Sequence, residues 1–180
     1  MEKKMYELIL NESSKMEIGK LLSCNRITEK YGLSLTQKEA EELSVCHKKS
    51  LKKYRRVEFG NSILDKLLYT FCDSQYIDQN NYLETMERLQ DIFYEFKNET
   101  GDKLSDDELL NFMKEQFETV CMGDVSYLED TCLPRFAFLV RDGYGGYAAS
   151  QGRGEYEKLS EEKRWDDELY YSVVKELFWG

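Results

Sequence analysis

Apolar residues recur at helical spacing along most of this chain, most regularly between residues 80 and 98. One helix face there is formed by Tyr82, Met86, Leu89, Phe93 and Phe96, which stand 4, 3, 4 and 3 residues apart. The same periodicity predicts further helices over 36–56, 61–73 and 105–121. We predict an all-α fold, a compact array of five to seven helices with these four at its centre.

Two of the predicted helices begin at capping boxes, in which a hydroxyl and a glutamate three residues later satisfy free backbone N–H groups. Thr36 is followed by Glu39 at this spacing, and Ser105 is followed by Glu108. The boxes therefore predict helix starts at these two positions.

The pattern is less decisive after residue 132. Pro134 suits the first turn of a helix, whereas the apolar run 136–140 also fits a strand, so an irregular or β element near 134–154 is the alternative. Five glycines between 143 and 154 predict a flexible loop or linker. We divide the chain into a helical domain over 1–142, a linker over 143–156, and a C-terminal helix over 157–180 that packs on the same domain.

Charge is unevenly distributed in this 180-residue chain, whose net charge is −10. Residues 1–60 carry 13 Lys or Arg and 9 Asp or Glu, whereas residues 61–132 carry 5 and 17. An acidic total disfavours a general nucleic-acid binder, so the basic stretch 47–56 is interpreted as a solvated helix face. We expect a protein partner and no nucleic acid, and an acidic protein surface is the partner that this stretch favours.

The cysteines are odd in number, widely spaced, and without a Cys-x-x-Cys motif: Cys24, Cys46, Cys72, Cys121 and Cys132. This usage is typical of reduced, mostly buried thiols in a cytoplasm. The N-terminus does not read as a signal peptide, and no apolar run approaches bilayer length. We therefore expect a cytoplasmic protein with no membrane association.

The sequence holds no complete catalytic, metal or nucleotide motif, so we expect no catalytic residue, no metal and no cofactor. Residues 73–84 have the length and ends of a calcium loop, but Gln75, Ile77 and Asp78 stand where oxygen ligands and a glycine are needed. The single histidine, His47, excludes the usual two-histidine carboxylate metal site and lies on an apolar helix face. That position is typical of a hydrogen-bonded core histidine.

The best candidate for a partner or ligand site is the junction that contains Arg55, Arg56 and Glu58. An Arg–Glu58 pair that orders the junction is the structural interpretation, and an anion or partner site is the functional one. Asp73 and Tyr82 complete the candidate set because they frame the next polar connection.

Several short segments occur in a characteristic order: Arg56-Val57-Glu58-Phe59-Gly60, Phe71-Cys72-Asp73-Ser74, Lys97-Asn98-Glu99 and Ser105-Asp106-Asp107-Glu108-Leu109. Over about residues 30–132 the chain resembles an uncharacterised family of bacterial proteins. The resemblance implies a bacterial cytoplasmic protein and brings no established activity, cofactor or catalytic residue.

Together these features favour a non-enzymatic interaction protein, an adaptor or a subunit of a larger assembly. Its 13 tyrosines suit this hypothesis, because tyrosine is common at interfaces. The alternative is a small enzyme or ligand-binding protein with a pocket near Glu58, Asp73 and Tyr82.

Overall fold

The computed structural model describes residues 2–58 and 62–141, and these residues form helices without any strand. The helices are α1 (Glu2–Ser23), α2 (Asn25–Thr28), α3 (Gln37–Lys53), α4 (Ile63–Phe71), α5 (Tyr82–Glu99), α6 (Asp106–Thr119), α7 (Val125–Tyr127) and α8 (Leu133–Leu139). A 3₁₀ turn, Glu29–Tyr31, follows α2, and a π-helical turn, Leu128–Cys132, precedes α8. The predicted all-α class is confirmed. The predicted linker and C-terminal helix lie outside the described residues, so the proposed domain division stays a prediction.

Both predicted capping boxes are present. The Thr36 hydroxyl accepts from the Glu39 N–H at 3.1 Å, and the Glu39 carboxylate accepts from the Thr36 N–H at 3.1 Å. Ser105 and Glu108 make the same two bonds at 3.2 and 3.4 Å. Each box satisfies donors that would otherwise lack an intrahelical partner, so α3 and α6 start where the sequence predicts.

Replacing Ser105 by alanine is expected to lower the free energy of unfolding by about 1 kcal/mol, the usual cost of losing an N-cap. Urea denaturation followed by circular dichroism measures the change. Ser13→Ala is the matched control, since Ser13 is an exposed residue inside α1. Equal midpoints for wild type and Ser105→Ala would contradict the role of this cap.

The chain divides into two compact units, Met1–Asp91 and Ile92–Gly180, and the division falls within α5. In the first unit, α1 packs against α2, α3 and α4. The buried face of α4 consists of Ile63, Leu64, Leu67, Leu68 and Phe71, while α5 adds Tyr82, Met86 and Leu89. The core of this unit thus collects the apolar faces that the 3–4 spacing defines.

The described part of the second unit has its own aromatic core. Phe112 of α6 stacks on Phe136 of α8, with ring centroids 3.6 Å apart and planes 13° from parallel. In α8 the buried residues are Leu133, Phe136, Ala137 and the adjoining Val140. Their 3, 1, 3 spacing is helical, and the exposed Phe138 breaks the run that also fitted a strand. The helical interpretation of 133–139 is therefore confirmed.

Lys97 connects the end of α5 to the start of α6 in the second unit. Its side chain is buried, and its ammonium donates to the Leu104 carbonyl and lies 2.9 Å from an Asp106 carboxylate oxygen. A buried ammonium needs such partners because the low-dielectric interior otherwise disfavours the charge. The tight turn at Gly101, with φ of 62°, brings these groups within reach.

Candidate functional site

A group of charged side chains in the first unit is centred on His47, which is only 4% exposed. Its Nε2 lies 2.7 Å from a carboxylate oxygen of Glu58, and its Nδ1 lies 3.1 Å from one of Glu17. The Glu58 contact is a short hydrogen bond, and the Glu17 contact combines hydrogen bonding with charge attraction. Because both ring nitrogens face carboxylates, the geometry favours the doubly protonated imidazolium.

Burial and the two neighbouring carboxylates have opposite effects on the pKa of His47. Burial disfavours the charged ring, but Glu17 and Glu58 outweigh it and raise the pKa of His47 to about 9. Burial likewise acts to raise the pKa of Glu17, but hydrogen bonds from His47 and Ser44, the latter at 2.8 Å, outweigh it and lower that pKa. At neutral pH the group is one buried cation between two carboxylates, with Lys48 also near Glu17.

Glu58 lies at the junction that contains Arg55 and Arg56, where two of its contacts are with α3 and α4, and the predicted Arg–Glu58 pair stays a prediction. One of its oxygens binds His47, and the other accepts the Ile63 N–H at the start of α4 at 3.3 Å. Glu58 therefore joins α3, α4 and, through His47, α1. Glu17 was not among the residues expected at this site, because α1 carries only a loose apolar pattern that does not indicate where one glutamate points.

Arg55 and Arg56 form the C-terminal cap of α3. The Arg55 N–H donates to Lys52 and the Arg56 N–H to Leu51, at 3.2 and 2.8 Å, while Arg55 takes a left-handed φ of 55°. This is the pairing of a Schellman motif, with arginine where glycine is usual. An anion or partner role for the two side chains stays a prediction.

Tyr82 and Asp73 lie in different environments. Tyr82 is fully buried beside Thr28, Cys24 and Cys72, and burial raises the pKa of its phenol above the usual range. Asp73 is exposed after the end of α4. A ligand pocket near Glu58, Asp73 and Tyr82 also stays a prediction.

The connection that resembles a calcium loop is held by turn hydrogen bonds. Asp78 accepts from the N–H groups of Asn80 and Asn81 at 2.8 and 3.0 Å, and Ser74 accepts from the Tyr76 N–H at 3.2 Å. Short polar side chains that bond the following backbone are typical of such connections. The described residues contain no group of three or more His, Cys, Asp or Glu side chains placed to hold a metal ion.

A separate feature of the first unit is an open groove of about 520 Å³ beside α3, which sequence reasoning missed. It is lined by Lys38, Glu41, Glu42, Val45, Cys46 and Lys49 of α3, and by Glu87 of α5. Val45 is an apolar residue that is 50% exposed, and most of the other residues that line the groove are charged. The available signal was this single apolar residue within the polar stripe 38, 41, 42, 45 and 49.

A network of side-chain hydrogen bonds joins α3 and α5, the two helices that line the groove. The fully buried Gln90 donates to Cys46 Sγ at 3.3 Å and to the Ser50 hydroxyl at 2.7 Å. Ser50 and Tyr54 donate to the Asp91 carboxylate at 2.7 and 2.8 Å. These bonds hold α3 against the first half of α5, and thus fix the positions of the two helices that line the groove.

Several carboxylates lie close together beside the groove. Burial raises the pKa of Glu87, and repulsion from Glu42 and Glu84 raises it further. Burial and the nearby Glu87 carboxylate also raise the pKa of the Cys46 thiol, so this cysteine is not an activated nucleophile. The groove is thus lined by three glutamates and two lysines, and its one cysteine has a raised pKa.

None of the helices within residues 2–58 and 62–141 is long and apolar enough to cross a membrane. Comparison with curated proteins and with solved structures found no match. Residues 20–146 match the model of a family described as "Family of unknown function (DUF6323)". The match includes the segments on which the resemblance rested and extends beyond them on both sides. The chain therefore belongs to this family of unknown function.

Proposed function

We propose that this chain is a non-enzymatic interaction protein, an adaptor or assembly subunit of the bacterial cytoplasm, whose protein partner docks in the α3 groove. The observation that carries the proposal is the half-exposed Val45 among the mostly charged side chains that line this groove. An apolar centre inside a polar rim is the usual anatomy of a protein interface.

The charges of the groove favour a partner segment that combines an apolar and a basic side chain. The apolar side chain would cover Val45, while a lysine or arginine would lie against Glu42, Glu84 and Glu87. Burial raises the pKa of Glu87 in the free protein, and repulsion from Glu42 and Glu84 adds to this effect. A cation relieves that repulsion only in the complex, so it contributes to affinity and to specificity.

Protein is favoured over nucleic acid as the partner because part of the basic stretch 47–56 is already engaged. Lys53 lies 3.4 Å from the Asp91 carboxylate and over the Tyr54 ring, and Lys48 binds the Ser14 hydroxyl. The Asp91 carboxylate offsets the charge of Lys53, and the neutralisation of phosphates by cations supplies most of the affinity in nonspecific nucleic-acid binding. The contacts with Asp91 also bring the basic stretch against the acidic part of the chain.

The test compares three versions of the full chain used as bait in its native cells, with mass spectrometry of the captured proteins. Val45→Lys replaces the apolar centre by a charge that the predicted partner repels. Ile27→Lys is the matched control, because Ile27 is also a β-branched helical residue, is 44% exposed, and is not part of the groove lining. A partner recovered by wild type and Ile27→Lys should be lost by Val45→Lys.

With that partner purified, the dissociation constant should rise at least about tenfold for Val45→Lys, as expected of an interface centre. Unchanged binding by Val45→Lys would contradict the groove as the docking site. Native mass spectrometry of the purified chain tests the enzymatic alternative separately. A metal or cofactor at one per chain would favour a small enzyme over an interaction protein.

A further inference from the structure

The second unit contains a pair of thiols in direct contact. The Sγ atoms of Cys121 and Cys132 are 3.6 Å apart, and the two residues are 5% and 2% exposed. Both are free cysteines. Cys121 lies just after the end of α6, and Cys132 closes the π-helical turn before α8.

We propose that Cys121 and Cys132 are a redox modification site, which hydroperoxides convert to an intramolecular disulfide and dithiols restore. The inference is independent of the α3 groove, which belongs to the other unit. It rests on the contact between the two sulfurs and on the backbone that carries them.

The backbone at both cysteines suits closure of the bond. A disulfide places its sulfurs about 2.0 Å apart, so the two thiols need to approach by only about 1.6 Å. Cys121 is followed by a turn in which Met122 and Gly123 have φ of 49° and 83°, and this turn is outside any helix. A π-helical turn is a local widening of the helix and often marks a functional position. Both cysteines therefore lie outside α6 and α8.

The charges around the pair distinguish the two sulfurs. The hydrogen bond to Cys132, together with burial and the Asp124 carboxylate, raises the pKa of Cys121. The hydrogen bond from Cys121 lowers the pKa of Cys132 against the effect of burial, with help from the Arg135 guanidinium. We place the thiolate at Cys132, because the Arg135 guanidinium favours a negative sulfur there and the Asp124 carboxylate opposes one at Cys121.

The reaction balances with peroxide as the two-electron oxidant. The Cys132 thiolate attacks one peroxide oxygen, the O–O bond breaks, and Cys132 becomes a sulfenic acid while hydroxide leaves and takes a proton. The Cys121 sulfur then attacks the sulfenic sulfur, its proton goes to the departing oxygen, and water is released as the S–S bond forms. An external dithiol reverses the step and is itself oxidised to a disulfide.

Trypsin provides a direct assay, because no lysine or arginine lies between Lys114 and Arg135. Peptide 115–135 therefore holds both cysteines, and an internal disulfide lowers its mass by two hydrogens. The reduced full chain is treated with hydrogen peroxide, the peroxide is removed with catalase, and remaining thiols are alkylated after unfolding in guanidinium. The exposed Met122 lies in the same peptide, and its sulfoxide records that peroxide reached this region.

We expect most of the peptide from peroxide-treated protein to carry no alkyl group and to have lost two hydrogens. Reduction with dithiothreitol after the peroxide step and before alkylation should restore double alkylation. Cys24→Ser, which removes a thiol of the other unit outside the α3 groove, should give the same masses for peptide 115–135 as wild type. Cys132→Ser should leave Cys121 singly alkylated. Double alkylation in treated wild type with oxidised Met122, or sulfinic acid in place of the disulfide, overturns the proposal.

Discussion

Replacing His47 by leucine is expected to lower the free energy of unfolding by about 3–5 kcal/mol at pH 7, the cost of removing one partner from a buried ion pair. Glu17 and Glu58 would then lie together without the cation that both of them contact. Urea denaturation of the purified variant measures the loss.

The triple variant Glu17→Gln, His47→Leu, Glu58→Gln separates charge from packing. Removing the two carboxylates along with the cation leaves no unpaired buried charge, so we expect the triple variant to be more stable than His47→Leu alone. A triple variant less stable than His47→Leu would mean that the carboxylates stabilise the fold without the histidine.

The same group sets a dependence of stability on pH. The pKa of His47 is raised in the folded state, from 6.5 to about 9. Its contribution is therefore complete below about pH 6.5 and is lost as the pH rises towards about 9, with an upper limit of about 3 kcal/mol. The pKa of Glu17 is lowered, so its contribution is present above about pH 4.5 and is lost in acid.

Denaturation midpoints from pH 4 to pH 10, at about 0.15 M salt, test this profile. Wild type should lose stability between about pH 6.5 and 9, and His47→Leu should lack that decline. A flat wild-type profile in this interval would show that His47 is not held as the imidazolium.

The second large effect is expected in the aromatic core of the second unit. Phe136→Ala should lower the free energy of unfolding by about 3–5 kcal/mol, because it removes buried ring surface and leaves a cavity opposite Phe112. Phe138 lies two positions further along the same chain segment but is 57% exposed, whereas Phe136 is 2% exposed. Phe138→Ala should therefore change stability by no more than about 0.5 kcal/mol.

This pair of variants also tests the helical register of α8. In a strand, residues 136 and 138 would lie on the same face and respond alike, whereas in a helix they are about 200° apart. Equal losses for the two variants would contradict the helix at 133–139. Thermal unfolding monitored by circular dichroism is sufficient, since the expected difference is several degrees.

The sequence predicted those parts of the fold that depend on local periodicity and capping. The apolar faces of α4 and α5 repeat every three or four residues, and the hydroxyl–glutamate pairs at Thr36 and Ser105 mark helix starts independently of tertiary structure. The short run 136–140 did not decide between helix and strand, because five residues span little more than one helical turn. Only the burial of Phe136 opposite Phe112 resolves it.

The candidate site was less accessible to sequence reasoning because its contacts are tertiary. His47 was interpreted correctly as a buried, hydrogen-bonded residue, but its partners are 30 and 11 positions away along the chain. Glu17 lies in a helix with weak amphipathic character, so nothing local distinguishes it from its exposed acidic neighbours. Val45 was hidden for a similar reason, since single apolar residues on charged faces are common on protein surfaces.

The ion group around His47 also constrains how this sequence can diverge. Residues 47 and 58 fall inside the segment that defines the family, whereas residue 17 falls outside it. Because His47 contacts the other two side chains, the effects of substitutions at the three positions on the free energy of unfolding are coupled rather than additive. A relative that lost the carboxylate at 17 would hold its histidine with a single acid and a lower pKa. A substitution at residue 17 would thereby shift the alkaline limit of stability, with no change within residues 20–146.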